Sequence, residues 1–163
     1  MALLGFYPAL AVDAATWAGW SIAAAVGTSR LPDSSLRRDG PVTRLRAWER
    51  GGLVYARLGI RRWKGHLPDL GAIFGGRRKR LEDRRDPQAW SDMAAETRRA
   101  ERTHWLILLA LPVEAAVRGG VILAPMTLYA AASNLPCIAA QRYNRGRLLA
   151  LAERRRRRCD RAG

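Results

Sequence analysis

VILAPMTLYAAASNLPCIAAQRYNRGRLL, Val121–Leu149, opens as an apolar run over 121–140 and closes in a dense polar cluster: Gln141, Arg142, Tyr143, Asn144, Arg145 and Arg147. A helix of about 20 apolar residues crosses a hydrocarbon core about 30 Å thick, so 121–140 reads as a membrane span. Pro136 loosens the helical ladder inside that span, which lipid tolerates only where protein or a cavity satisfies the freed carbonyls. Asn134 in the same run is expected to bond a neighbouring helix. The closing cluster serves either as a snorkelling anchor or as a binding site. Anchoring alone does not require Gln, Tyr and Asn among the arginines.

Two further apolar blocks belong with this one. Leu3–Gly27 is long enough to span, and no basic residue precedes it as a signal peptide would require. Asp13 within it either faces protein, water or a partner, or marks a helix end near the interface. Trp105–Val117 is apolar but short, so it spans only if the helix begins earlier, and otherwise re-enters. The expected spans are therefore about 3–27, 104–118 and 121–140.

Charge is partitioned to match. The 163 residues carry a formal net charge of +15, from 29 Lys+Arg against 14 Asp+Glu. Residues 1–26 hold one charged side chain, Asp13, and residues 104–140 hold two, Glu114 and Arg118. The intervening 28–103 and the tail 141–163 are strongly basic. The mean hydropathy of −0.21 averages this alternation away. Nucleic-acid binding rests on charge alone, and the apolar blocks argue against it. The positive-inside rule makes 28–103 and the tail cytoplasmic, with the N-terminus outside and the last two spans forming a hairpin. The fold expected is all-α: a single integral membrane domain with about three transmembrane helices and amphipathic interfacial helices in the basic cytoplasmic segment.

Ser29–Pro41 has turn chemistry. The stretch that follows places Leu45, Trp48, Leu53, Tyr55, Leu58, Ile60 and Trp63 among arginines, a pattern suited to helices lying on a membrane surface. Asp69 is a candidate cap for the turn after it. Arg77–Arg80 and Arg154–Arg158 suit contact with anionic membrane lipids. Two cysteines, Cys137 and Cys159, form no disulfide framework, and the two histidines have no ligand at metal spacing.

Three blocks carry a family resemblance: Glu49 with YARLGIRRWKGHLPD (Tyr55–Asp69), ETRRAERTHW (Glu96–Trp105), and NLPCIAAQRYNRGRL (Asn134–Leu148). In this order they resemble the glycosyl-4,4'-diaponeurosporenoate acyltransferase family of carotenoid glycoside synthesis. The first forty residues and the arginine-rich tail lie outside the resemblance. It implies transfer of a fatty acyl group to a sugar hydroxyl of a lipid glycoside.

Such a transfer needs a base near a hydroxyl, oxyanion stabilisation and a place for the donor. His104 is the candidate base, since an imidazole exchanges protons near neutral pH. Glu101 and Glu96 lie on roughly the same helical face, and either can orient the ring, with Arg98 flanking. The rival reading is an interfacial histidine beside an ordinary charged helix. The HxxxxD pattern of glycerolipid acyltransferases is absent, because Leu109 stands at its last position. Gln141, Arg142, Tyr143, Asn144, Arg145 and Asn134, with Trp63 and Lys64 from the first block, are the candidate binding residues. The arginines suit donor phosphates, and the amides suit a sugar or an oxyanion. No cofactor is expected; acyl-CoA is the expected co-substrate. A lipid-linked sugar acceptor, the acyl donor and anionic lipids are the expected partners, no nucleic acid is, and a homo-oligomer stays open. The alternative function is a non-catalytic membrane adaptor or scaffold for lipid-synthesis enzymes.

Overall fold

A computed structural model of the chain describes residues 2–67, 87–118 and 120–161. Pro68, Asp69, the Arg77–Arg80 run and Gly119 in the expected external turn lie outside the described residues. Within them the chain is all-helical. Seven α-helices occur: α1 (Ala2–Ser29), α2 (Asp33–Leu36), α3 (Leu53–Arg57), α4 (Ile60–Trp63), α5 (Pro87–Leu108), α6 (Ala110–Arg118) and α7 (Gly120–Cys159). Two 3-10 turns, Ala47–Gly52 and Lys64–His66, flank α3 and α4.

The expected second span is divided. The Trp105–Leu108 stretch is the last turn of α5, and α6 starts anew at Ala110. Pro112 is the cause: it has no N–H to return to the Leu108 carbonyl, so the α5 ladder ends there. Leu109 N–H tightens the joint by donating to both Trp105 O (3.1 Å) and Leu106 O (3.2 Å). At 1.5 Å per residue, α6 alone is about 14 Å long, too short to cross a bilayer. Among the described residues one helix is long and apolar enough to cross a membrane, running from Leu123 within α7.

α7 does not end where its apolar part ends. Its 40 residues run through Pro125, Pro136, the polar cluster and most of the tail, about 60 Å in all. The polar cluster thus occupies the middle of a helix and has walls around it.

Those walls come from α5 and from residues 36–67. α5 and α7 run antiparallel, so His104 meets Asn134, Glu101 meets Arg142, and Trp90 and Ala94 pack with Leu148. α1 runs antiparallel to α5, with Thr28 Oγ1 2.6 Å from Thr103 Oγ1 and Trp20 Nε1 donating to Leu106 O at 2.8 Å. One apolar core gathers Trp17, Ala24, Ile107, Ala110 and Ala130 where α1, α5, α6 and α7 meet. A second gathers Ile60, Ala140 and Tyr143, with Tyr55 and Trp63 against it. Asp13 lies in the interior of α1 and is fully buried, so its side chain faces protein. The outer faces at the first core's level are apolar and exposed at Leu109, Val113, Leu128 and Leu135. A charged or polar residue at those positions would be the ordinary choice for a helix facing water.

Candidate active site

The loop Arg46–Gly52 reaches α7 through glycines. An added Cβ on Gly146 would stand 1.8 Å from the Gly51 carbonyl oxygen, so the two backbones touch only because residue 146 has no side chain. Gly51 (φ 64°) and Gly52 (φ 87°) take left-handed conformations that glycine adopts without steric cost. Arg50 shares that region at φ 49°.

This approach buries Glu49 completely against Arg142. Arg142 Nε donates to Glu49 Oε1 (2.6 Å) and Nη2 to Glu49 Oε2 (2.7 Å), a two-pronged pair. Tyr55 Oη donates to Oε1 and the Arg46 N–H to Oε2, each at 2.5 Å. Burial by itself would raise the Glu49 pKa. The Arg142 bonds, the Arg46 N–H and the Tyr55 hydroxyl outweigh it and hold the carboxyl down at about 2. Burial and the Glu49 charge push the Tyr55 phenol up to about 12, so it stays a donor.

The other donors of Arg142 are also taken. Nη1 bonds Val42 O (2.9 Å) and Glu101, and Nη2 bonds Arg44 O (2.9 Å). A guanidinium has five N–H groups, and all five are used inside the protein. Arg145 is fully buried; its Nη2 stands 2.7 Å from Glu101 Oε2 and donates to Thr43 O. The Glu101 contact meets ion-pair distance without hydrogen-bond alignment. Its Nε and Nη1 have no hydrogen-bond partner among the described residues, and neither has Gln141 Oε1. Trp105 Nε1 adds a long bond of 3.3 Å to Glu101 Oε1. Two carboxylates and two guanidinia thus clasp α5, α7 and the 42–49 segment.

The carboxylate expected to orient His104 is therefore turned to arginines. The His104 Nδ1 partner is Asn134 Oδ1, at 2.9 Å. Asn134 Nδ2 donates to Ala130 O (2.9 Å), which assigns the amide: its oxygen faces the imidazole and accepts from Nδ1–H. In the neutral ring this leaves the lone pair on Nε2. Glu96 pairs with Arg99 (3.3 Å), which donates to the carbonyls of Thr28, Ser29 and Leu31 and so closes the end of α1. Arg98 donates to Asp39 Oδ1 (2.7 Å) and Leu36 O (3.3 Å), tying the loop after α2 to α5.

Lys64 Nζ donates to Asn144 Oδ1 at 2.7 Å, and Trp63 Nε1 donates to Leu58 O at 3.0 Å. The structure thus distributes the residues singled out from the sequence over two levels of α7. Asn134 and Asn144 are ten residues apart, roughly 15 Å along the axis. His104 and Asn134 lie at the upper level, beside the apolar core. Lys64, Trp63, Tyr143 and Asn144 lie at the lower, at the same height on α7 as the clasp residues Arg142 and Arg145. Glu49 was named only within the first block, with no role. Its partner Arg142 lies 93 positions away, and no local spacing reveals such a pair.

The description glycosyl-4,4'-diaponeurosporenoate acyltransferase matches residues 40–154, most of the chain. The chain belongs to this family. A relative with that name from Staphylococcus haemolyticus is 29% identical over 146 residues, covering 84% of this chain and 81% of the relative. No solved structure matches the chain. The family match takes in the clasp, His104, Asn134 and the Lys64–Asn144 pair. It leaves out α1 and the end of the arginine tail.

Proposed function

We propose that the protein is a membrane-embedded O-acyltransferase that moves a fatty acyl group from an activated thioester donor, acyl-CoA, to a hydroxyl of a glycosylated lipid such as a carotenoid glycoside. The observation that carries the reading is the His104–Asn134 bond. It holds an imidazole in one tautomer next to an exposed apolar belt that suits a lipid substrate.

In this mechanism Nε2 takes the proton of the acceptor hydroxyl. The acceptor oxygen bonds the acyl carbonyl carbon, the C–S bond breaks, and the leaving thiolate takes the proton back from the imidazolium. Asn134 is a positioning residue: its carbonyl oxygen keeps the proton on Nδ1 and stabilises the cation that forms. Glu101 is a positioning residue as well. It fixes α5 to α7 one turn before His104, through Arg142 and Arg145. Glu96 and Arg98 act through the loop and α1 contacts described above. Trp63, Lys64, Tyr143 and Asn144 form the polar end of the binding surface, with Gln141 beside them. The placement is at the cell membrane, with α1, the α5–α6 end and the first half of α7 in the bilayer and the basic segments on the cytoplasmic side, as their charge favours.

The test is a lipid mass-spectrometry comparison of a deletion strain carrying either the wild-type gene or His104→Ala. The expected result is that deletion and variant lose the same lipid and accumulate that molecule lighter by one fatty acyl group. A full wild-type lipid profile in His104→Ala, at equal protein level, would remove His104 as the base and move the adaptor reading ahead.

A further inference from the structure

Three cations converge on one buried tyrosine at the lower level of α7. Arg61 of α4 donates from Nε to Tyr143 Oη at 3.0 Å, and Arg147 Nη1 lies 3.4 Å from the same oxygen. Lys64 Nζ stands 5.0 Å from the ring centroid, and the Arg147 guanidinium carbon 5.9 Å from it. Tyr143 itself is fully buried, whereas Arg61 and Arg147 are exposed. The sequence offered Lys64, Tyr143 and the arginines of the 141–147 cluster, Arg147 among them, as binding residues; it gave Arg61 no such role.

What sets this cluster apart is that three cations meet on one residue with no counter-charge among them. Arg98, Arg99, Arg142 and Arg145 each face a carboxylate. Arg61, Lys64 and Arg147 pair with none among the described residues. The terminal nitrogens of Arg61 make no hydrogen bond there either. Burial, and then Arg147 and Arg61, hold the Lys64 ammonium below its ordinary pKa, although the Tyr143 oxygen works in the opposite direction. Like charges gathered on a rigid ring, with donors left over, are the electrostatic complement of an oxyanion with several acceptors. Arginine forks take two phosphate oxygens at once, and lysine adds a point charge.

We propose that Arg61, Lys64 and Arg147, held on Tyr143, form a phosphate-binding site that takes the phosphate or pyrophosphate oxygens of the nucleotide end of a thioester donor or of a phospholipid headgroup. The inference deepens the acyltransferase reading and rests on it for the donor. A phosphate here leaves roughly 15 Å along α7 to the level of His104, a gap that an extended thioester arm bridges. Arg142 and Arg145, which the sequence also offered for phosphate, are enclosed in the clasp.

The experiment uses the full chain in phosphatidylcholine nanodiscs and titrates it calorimetrically with free coenzyme A. A parallel flotation assay measures binding to vesicles with and without phosphatidylglycerol. Arg61→Gln/Arg147→Gln is compared with Arg30→Gln/Arg38→Gln, which removes two exposed cations near the ends of α1 and α2. The first pair should weaken one of the two ligands at least tenfold, and the control pair should leave that ligand unchanged. Loss of coenzyme A alone assigns the site to the donor; loss of phosphatidylglycerol alone assigns it to the headgroup. Wild-type binding of both ligands by the first pair, or an equal loss in the control pair, overturns the site. Arg61→Gln alone repeats the comparison if the double variant melts lower than wild type. His104→Ala should bind coenzyme A as wild type does, so failure of the phosphate site and failure of acyl transfer read out separately.

Discussion

Two polar sites on α7 follow opposite rules. At Arg142 every N–H is matched by an oxygen of the protein, and both carboxylates it touches are fully buried. About 12 Å along the helix, His104 and Asn134 spend one bond on setting a tautomer. The first arrangement leaves nothing to offer a substrate and specifies how α7, α5 and the 42–49 loop fit. The second specifies one atom's chemistry. The polar residues of α7 thus divide into those that define the packing and those that the packing serves.

That division can be broken at several places. The largest effect is expected at the clasp. Arg142→Met strands Glu49 and Glu101 as buried carboxylates with their main partner gone, which costs about 3–5 kcal/mol for a broken buried pair. Thermal unfolding in detergent should show a strongly lowered midpoint, and the protein level in membranes should fall. Gly146→Val should act in the same direction through sterics, because the 1.8 Å approach forces the 46–52 loop off the helix. At the upper level the effect should be chemical. His104→Gln is expected to keep the wild-type melting temperature and to lose on the order of 10²–10⁴-fold in product formation. Asn134→Leu should lose less, about tenfold, and shift the pH–rate profile, since the ring then loses its Nδ1 acceptor. A merely structural Asn134 would leave that profile in place.

The smallest effect is pH-dependent and belongs to the clasp. The Glu49 pKa is depressed from 4.5 to about 2 on folding. Its contribution to stability is therefore complete above pH 4.5 and is lost as the pH falls through about 2. Unfolding midpoints should change little between pH 7 and 5 on account of Glu49 and decline below 4.5. Glu49→Gln should flatten that acid limb while lowering stability at neutral pH.

Much of this was legible in the sequence, and the limits have physical causes. Hydropathy located the apolar stretches of α1 and α7, because apolar runs are written in local composition; among the described residues only the helix from Leu123 is long and apolar enough to cross a membrane. Hydropathy drew 104–118 as one element, whereas Pro112 divides that stretch between α5 and α6. It ended the third apolar span at 140 without saying how far the helix runs; α7 continues to Cys159, with α5 and the loop covering the face of the polar cluster. The helical spacing of Glu101 and His104 sets them one turn apart on α5. It did not predict the partner. A buried guanidinium competes for a carboxylate more strongly than a neutral imidazole does, so Arg142 and Arg145 took Glu101 and Asn134 took the ring. Glu49 was beyond reach because its role depends on contacts 93 residues away and on three glycines that let two backbones touch.

The most direct test of the division is product formed per mole of folded protein, measured side by side for His104→Gln and Arg142→Met in the same membranes. The account predicts that His104→Gln is abundant and inactive, while the surviving folded fraction of Arg142→Met keeps activity within a few-fold of wild type. Full activity in His104→Gln, or normal abundance with no activity in Arg142→Met, would contradict it.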